Sequence, residues 1–166
     1  MLVPESLVHL LKPWADFYSH SKGTETIVQA LHIGGLLLGG GFAIAADRGS
    51  LRAMRVPAAE RSHYVRELAE VHGWVLFGLT IVALSGVALV TADIETFLGS
   101  WIYWTKMALV LALLINGYVI TRVERGLLAD ASDRSPHWGT MRRTAAASLF
   151  LWFTITIAGV ALVNLT

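Results

Sequence analysis

Two titratable side chains fall inside long apolar runs of this sequence, His32 and Lys106. An ionisable group in such a run is costly to desolvate, so it should face protein, find a partner or serve a ligand. An imidazole there can hydrogen-bond to a neighbouring helix or present a ring nitrogen to a haem iron or another metal. A lysine can snorkel its amine to the headgroups, or meet a carboxylate such as a haem propionate or a substrate acid. Ser85, Met107 and Thr156 belong to the same discussion, as two hydroxyls and a thioether in comparable surroundings.

The elements that must position these groups are read from hydropathy. Four apolar runs cover about 26–46, 72–92, 99–121 and 144–164, each 21 to 23 residues long. At ~1.5 Å per residue each crosses ~30 Å of hydrocarbon. The expected fold is an all-α integral membrane protein, a four-transmembrane-helix bundle over 23–166. Residues 1–22 place Leu7, Leu10, Leu11, Trp14, Phe17 and Tyr18 at helical spacing opposite Glu5, His9, Lys12, Asp16 and His20. That pattern predicts an amphipathic helix in the bilayer interface, kinked or split at Pro13, with Thr24 capping the helix that follows. In the first span Gly35, Gly39, Ala43 and Ala46 recur at steps of four, four and three. This seam admits close neighbours, makes the span central and turns His32 toward protein.

Charge sets orientation. The connections between spans one and two and between spans three and four carry ten arginines, including Arg48, Arg52, Arg125 and Arg142, while the opposite side has only Lys12 and Lys22. Arginine excess marks cytoplasmic connections, so both termini are expected on the periplasmic face of a bacterial inner membrane. Counting rise per residue then puts His32, Ser85, Lys106, Met107 and Thr156 in one polar layer of the outer leaflet, roughly 9 Å deep. His72 begins span two at the other surface, on the order of 20 Å from His32, too far to share a haem. An inner-side site from His63, His72 and His137 lacks ligand spacing. Ala131-Ser132 and Ser135-Pro136 read as turns.

Composition closes off other chemistries. The chain has 166 residues, 55% of them hydrophobic, with a net charge of +1 that gives no sign of nucleic-acid binding. The absence of cysteine rules out disulfides, thiolate catalysis and covalent haem attachment. No phosphate loop, zinc-hydrolase pair or serine elbow is present. No acidic pair lies within an apolar run, so carboxylate-driven transport is not expected. The N-terminus lacks a cleavable signal, and Met1 onward is expected to be the mature chain.

The run Leu31-His32-Ile33-Gly34-Gly35 through Gly39, leaving the span at Ala46-Asp47-Arg48, resembles the first span of a group of small bacterial inner-membrane proteins. The likeness continues through Trp74, Gly78, Ser85-Gly86, Thr105-Lys106-Met107, Asn116-Gly117, Ser148, Trp152 and Gly159. The group is similar in style to copper-resistance D-type membrane domains and to small cytochrome b561-like bundles. The resemblance implies a four-helix bundle and b-type haem, although no second histidine lies level with His32. A redox-associated protein is therefore expected, binding haem b or a quinone-like cofactor through His32, Ser85, Lys106 and Met107. A non-catalytic accessory subunit of a larger membrane complex is the alternative. A further one is periplasmic metal handling through His32 with His9 and His20.

Overall fold

The computed structural model of the chain describes residues 3–129 and 135–165, with the side chains of 58–69 outside the description. It consists of α1 (Glu5–His20), α2 (Lys22–Ala53), α3 (Ala58–Ala92), α4 (Ile94–Gly99), α5 (Trp101–Ala129) and α6 (His137–Leu165). Four of these helices are long and apolar enough to cross a membrane: α2, α5, α6 and the Glu70–Ala92 part of α3. His63 and the Ala131-Ser132 turn fall outside the described positions.

The burial pattern is that of a protein whose solvent is lipid. Leu37, Phe150, Ile157 and Val163 are exposed, whereas Asp47, Ser85, Glu124 and Ser148 are buried. Lipid satisfies apolar surface without burial, so the interior is left to small and polar side chains that bond to one another.

Packing is led by α2. It lies along α3 on one side and meets α6 on the other, α5 packs along α6, and α3 touches α5 only sparsely. The helices thus run in the order α3, α2, α6, α5 around the bundle, with a loose seam closing the ring between α3 and α5. The α2–α3 contact is made by glycine. A Cβ on Gly78 would stand 2.3 Å from the Gly39 nitrogen, and one on Gly35 would meet Val82 at 2.9 Å. On the neighbouring face of α2, a Cβ on Gly40 would be 3.2 Å from the Trp152 ring of α6. Leu113, Trp152 and Ile155 form the apolar core where these helices converge, with Leu36 and Ala43 against them. Asn116 ties α5 to α6 by donating to the Thr144 carbonyl at 3.0 Å.

Several local expectations are corrected. Helix α1 runs through Pro13 unbroken, because an exposed helix loses one ladder bond there but no packing. The cap of α2 is Ser21, whose hydroxyl accepts from the Thr24 N–H at 3.3 Å, so Thr24 lies inside the first turn. Between α3 and α5 the chain makes the short helix α4, with Asp93 accepting from the Thr96 N–H at 3.4 Å. In keeping with the helical spacing of Tyr64, Val65, Leu68 and Val71 in the sequence, helix α3 continues from the first connection into the span without a break. Helix α1 rests on the bundle through Trp14, whose indole donates to the Ala88 carbonyl of α3 at 3.0 Å.

Candidate functional site

Two polar regions lie inside the bundle, on opposite sides of the Gly39–Gly78 crossing. The first is at the end carrying both termini. His32 on α2 and Ser85 on α3 meet through Nδ1 and Oγ at 3.0 Å. The direction of that bond follows from the serine. Its hydroxyl lies 2.6 Å from the Ile81 carbonyl, which takes the Oγ proton. Ser85 Oγ is therefore left as acceptor, and His32 Nδ1 carries the hydrogen. The Val82 carbonyl also lies within hydrogen-bonding reach of the ring. Nε2 is left with its lone pair, the state in which an imidazole ligates a metal or accepts from a hydroxyl.

The crossing glycines make this contact possible. Because Gly35 and Gly39 let α2 approach α3, the next turn presents His32 to Ser85 and Gly86. A Cβ on Gly86 would stand 3.3 Å from His32 Cε1, so the ring lies flush against α3. Lys106 comes from α5 and is close enough for its charge to act on the His32 ring. Its Nζ would be 3.4 Å from a Cβ on Gly159 of α6, and among the described residues it has no anion partner. The structure therefore joins His32 to Ser85 and leaves Lys106 within electrostatic range of the ring. Met107, one residue on from Lys106, is half-buried like it and stands about 100° further around α5. Thr156 leaves the layer altogether: it is exposed, and its hydroxyl donates to Trp152 O of its own helix at 2.8 Å.

The second region, at the arginine-bearing end, was not legible in hydropathy. Asp47 of α2 is 5% exposed and Glu124 of α5 is 4% exposed, so acids do occur inside the spanning helices. The expectation of a bundle without intramembrane carboxylates is thereby overturned. His72 of α3 faces Glu124, with Nε2 3.4 Å from Oε2. The Ser148 hydroxyl of α6 lies against the Asp47 carboxyl. Asp47 Oδ2 is buried and, among the described residues, accepts no hydrogen bond. These groups line one end of a cavity of about 330 Å³ among α2, α3, α5 and α6.

A signal for this region was present in helical phase. Gly39, Ala43, Asp47 and Ser50 continue one inward face of α2 beyond the last apolar residue. Leu113, Gly117, Ile120, Glu124 and Leu127 do the same on α5. His137 joins neither region. Its ring packs on Gly126, where a Cβ would stand 2.6 Å from Nε2. His20 is held through Nδ1 to the Asp16 carbonyl at 2.7 Å, and among the described residues no three His, Asp or Glu side chains cluster to hold a metal ion.

Comparison with known protein families, curated proteins and solved structures finds no match. Function is therefore argued from the two polar regions themselves.

Proposed function

We propose that the chain is a small redox-associated protein of the bacterial inner membrane, binding a b-type haem or a quinone-like molecule beside His32. The observation that carries this reading is the His32–Ser85 bond, which anchors Nδ1 and leaves Nε2 with its lone pair. His32 Nε2 would be the atom to hold a haem iron or to accept from the hydroxyl of a quinol. Lys106 supplies three N–H donors and a positive charge, suited to a propionate or to a quinone carbonyl. Gly86 and Gly159 leave the room that the His32 ring and the Lys106 stem occupy.

The donor set fits single-histidine ligation. His72 stands opposite about Ala45 in the α2–α3 register, on the order of 20 Å along the bundle from His32. Electron transfer is the chemistry such a group supplies when bound. The chain's own residues orient it, neutralise its acid and exclude water from it.

Orientation enters the proposal through the arginines. Their excess at one end assigns that end to the cytoplasm and both termini to the periplasm. Helix α1 then lies in the outer interface, where Leu10 and Phe17, both exposed, reach lipid. Trp101 and Trp104 on the same side, also exposed, act as interface anchors.

The test is an absorption spectrum of the purified, dithionite-reduced protein, with quinone assayed in an organic extract. A Soret band or stoichiometric quinone in the wild type, lost in His32→Ala and kept in His72→Ala, supports the reading. Absence of both from the wild type overturns it.

A further inference from the structure

The cavity at the arginine-bearing end lies apart from the His32 layer, fifteen residues further along α2, or about 22 Å. Its form constrains what it can hold. One end is polar, set by Asp47, Ser50, His72, Glu124 and Ser148, while its walls are apolar side chains of α3 and α5. Trp152 lines it from α6. The walls come largely from α3 and α5, the adjacent spanning helices that pack most loosely, so the cavity lies along the α3–α5 seam. Leu76 of α3 and Leu114 and Tyr118 of α5 line the cavity and are also exposed on the outside of the bundle. The way in is therefore lateral, from the lipid.

At the polar end the hydrogen bonding is unbalanced. Glu124 faces His72, and Ser50 donates to the Ala46 carbonyl of its own helix at 3.0 Å. Asp47 has Ser148 at one side, while its Oδ2, in a residue 5% exposed, accepts nothing among the described residues. A buried carboxyl oxygen without a donor forfeits about 1–3 kcal/mol, more if charged, and native structures retain such atoms where something else completes them. An ionised carboxylate oxygen only accepts, so the ionised Asp47 side chain calls for a donor.

We propose that this cavity is a second binding site, entered from the bilayer between α3 and α5, for an apolar molecule whose amine or hydroxyl head donates a hydrogen bond to Asp47. The volume suits a small body of this kind, at the low end of ligand pockets. The site is independent of the His32 layer and stands whether or not that layer binds a cofactor.

Gly117 provides a clean test. It lines the cavity, and a Cβ placed on it meets nothing within 4 Å, so Gly117→Leu fills the space without displacing backbone. Protein in lipid nanodiscs is titrated with decylamine and with a decyl-substituted hydroquinone, and bound ligand is counted by native mass spectrometry against empty nanodiscs. Saturable binding of either probe is expected, and in His32→Ala protein, where the other polar layer is disabled, the binding that remains is weakened about tenfold or more by Gly117→Leu. Asp47→Asn separates the two head types. A carboxamide still accepts a hydrogen bond but carries no charge, so amine binding falls about tenfold while hydroquinone binding changes about threefold or less. Wild-type binding no greater than to empty nanodiscs, or Gly117→Leu binding as tightly as wild type, overturns the proposal.

Discussion

The two polar regions solve the same problem in different ways. Around His32 the groups are few, and the bonds run from ring to hydroxyl to backbone, with no anion beside Lys106 among the described residues. Around Asp47 four helices each contribute a polar side chain, and an open volume stands beside them. The first region is tight because the glycine crossing draws α2 onto α3. The second is roomy because its walls come from α3 and α5, the pair that the glycines do not draw together. Close backbone contact thus makes a hydrogen bond at one end, and loose contact makes a cavity at the other.

Gly78→Leu is the largest way to break this contrast. Its Cβ would stand 2.3 Å from the Gly39 nitrogen, and no rotamer change relieves a backbone clash. We expect loss of folded monomer on size exclusion in mild detergent, or a stability loss beyond about 3 kcal/mol. The His32 layer should suffer first, because the crossing positions it. Retention of wild-type stability would show that the glycine contact does not organise the bundle.

Glu124→Ala addresses the other end. It removes a buried acid that faces His72 and enlarges an existing cavity, for an expected loss of about 2–3 kcal/mol in a reversible denaturation assay. Glu124→Gln, which keeps volume and hydrogen bonding, should recover most of it. A surface acid would cost less than about 0.5 kcal/mol in either form.

How much of this was legible in the sequence follows from what hydropathy measures. The four spans and the glycine seam were readable because apolar runs and small-residue spacing directly reflect lipid exposure and helix approach. The depth count that set His32 beside Ser85 and Lys106 used only the rise per residue, which helices obey closely. Thr156 sits on the same turns yet faces outward, because depth says nothing about rotation around the axis. Asp47 and Glu124 were missed for a different reason. Each follows the last apolar residue of its run by only a few positions, where a charged side chain reads as solvated. The helices continue to Ala53 and Ala129 in unbroken phase, which carries both acids inward. Fixing where a helix ends needed tertiary packing, and with it came the second site.

Ser85→Ala sharpens the comparison at the termini end. It leaves His32 without its hydroxyl acceptor while the Val82 carbonyl remains nearby, so the loss should be only about 1 kcal/mol. A double-mutant cycle with His32→Ala should give a coupling of about 0.6–1.7 kcal/mol, the range for polar pairs between membrane helices. Coupling near zero would mean that the ring is held by packing on Gly86 alone.

The smallest expected effect has the opposite sign. Lys106 carries a half-buried ammonium that no acid among the described residues answers, so its desolvation is uncompensated in the protein alone. Lys106→Met keeps the length and apolar stem of the side chain while removing that charge. Stability of the ligand-free protein should therefore rise, by up to about 1 kcal/mol, where substitutions at the Asp47 end lower it. The same variant should weaken retention of any acidic or carbonyl-bearing cofactor beside His32. Such a trade is expected where a group is kept for binding rather than for folding. If Lys106→Met lowers stability instead, the amine is held by the bundle as a structural group, and the contrast between the two ends reduces to one of packing.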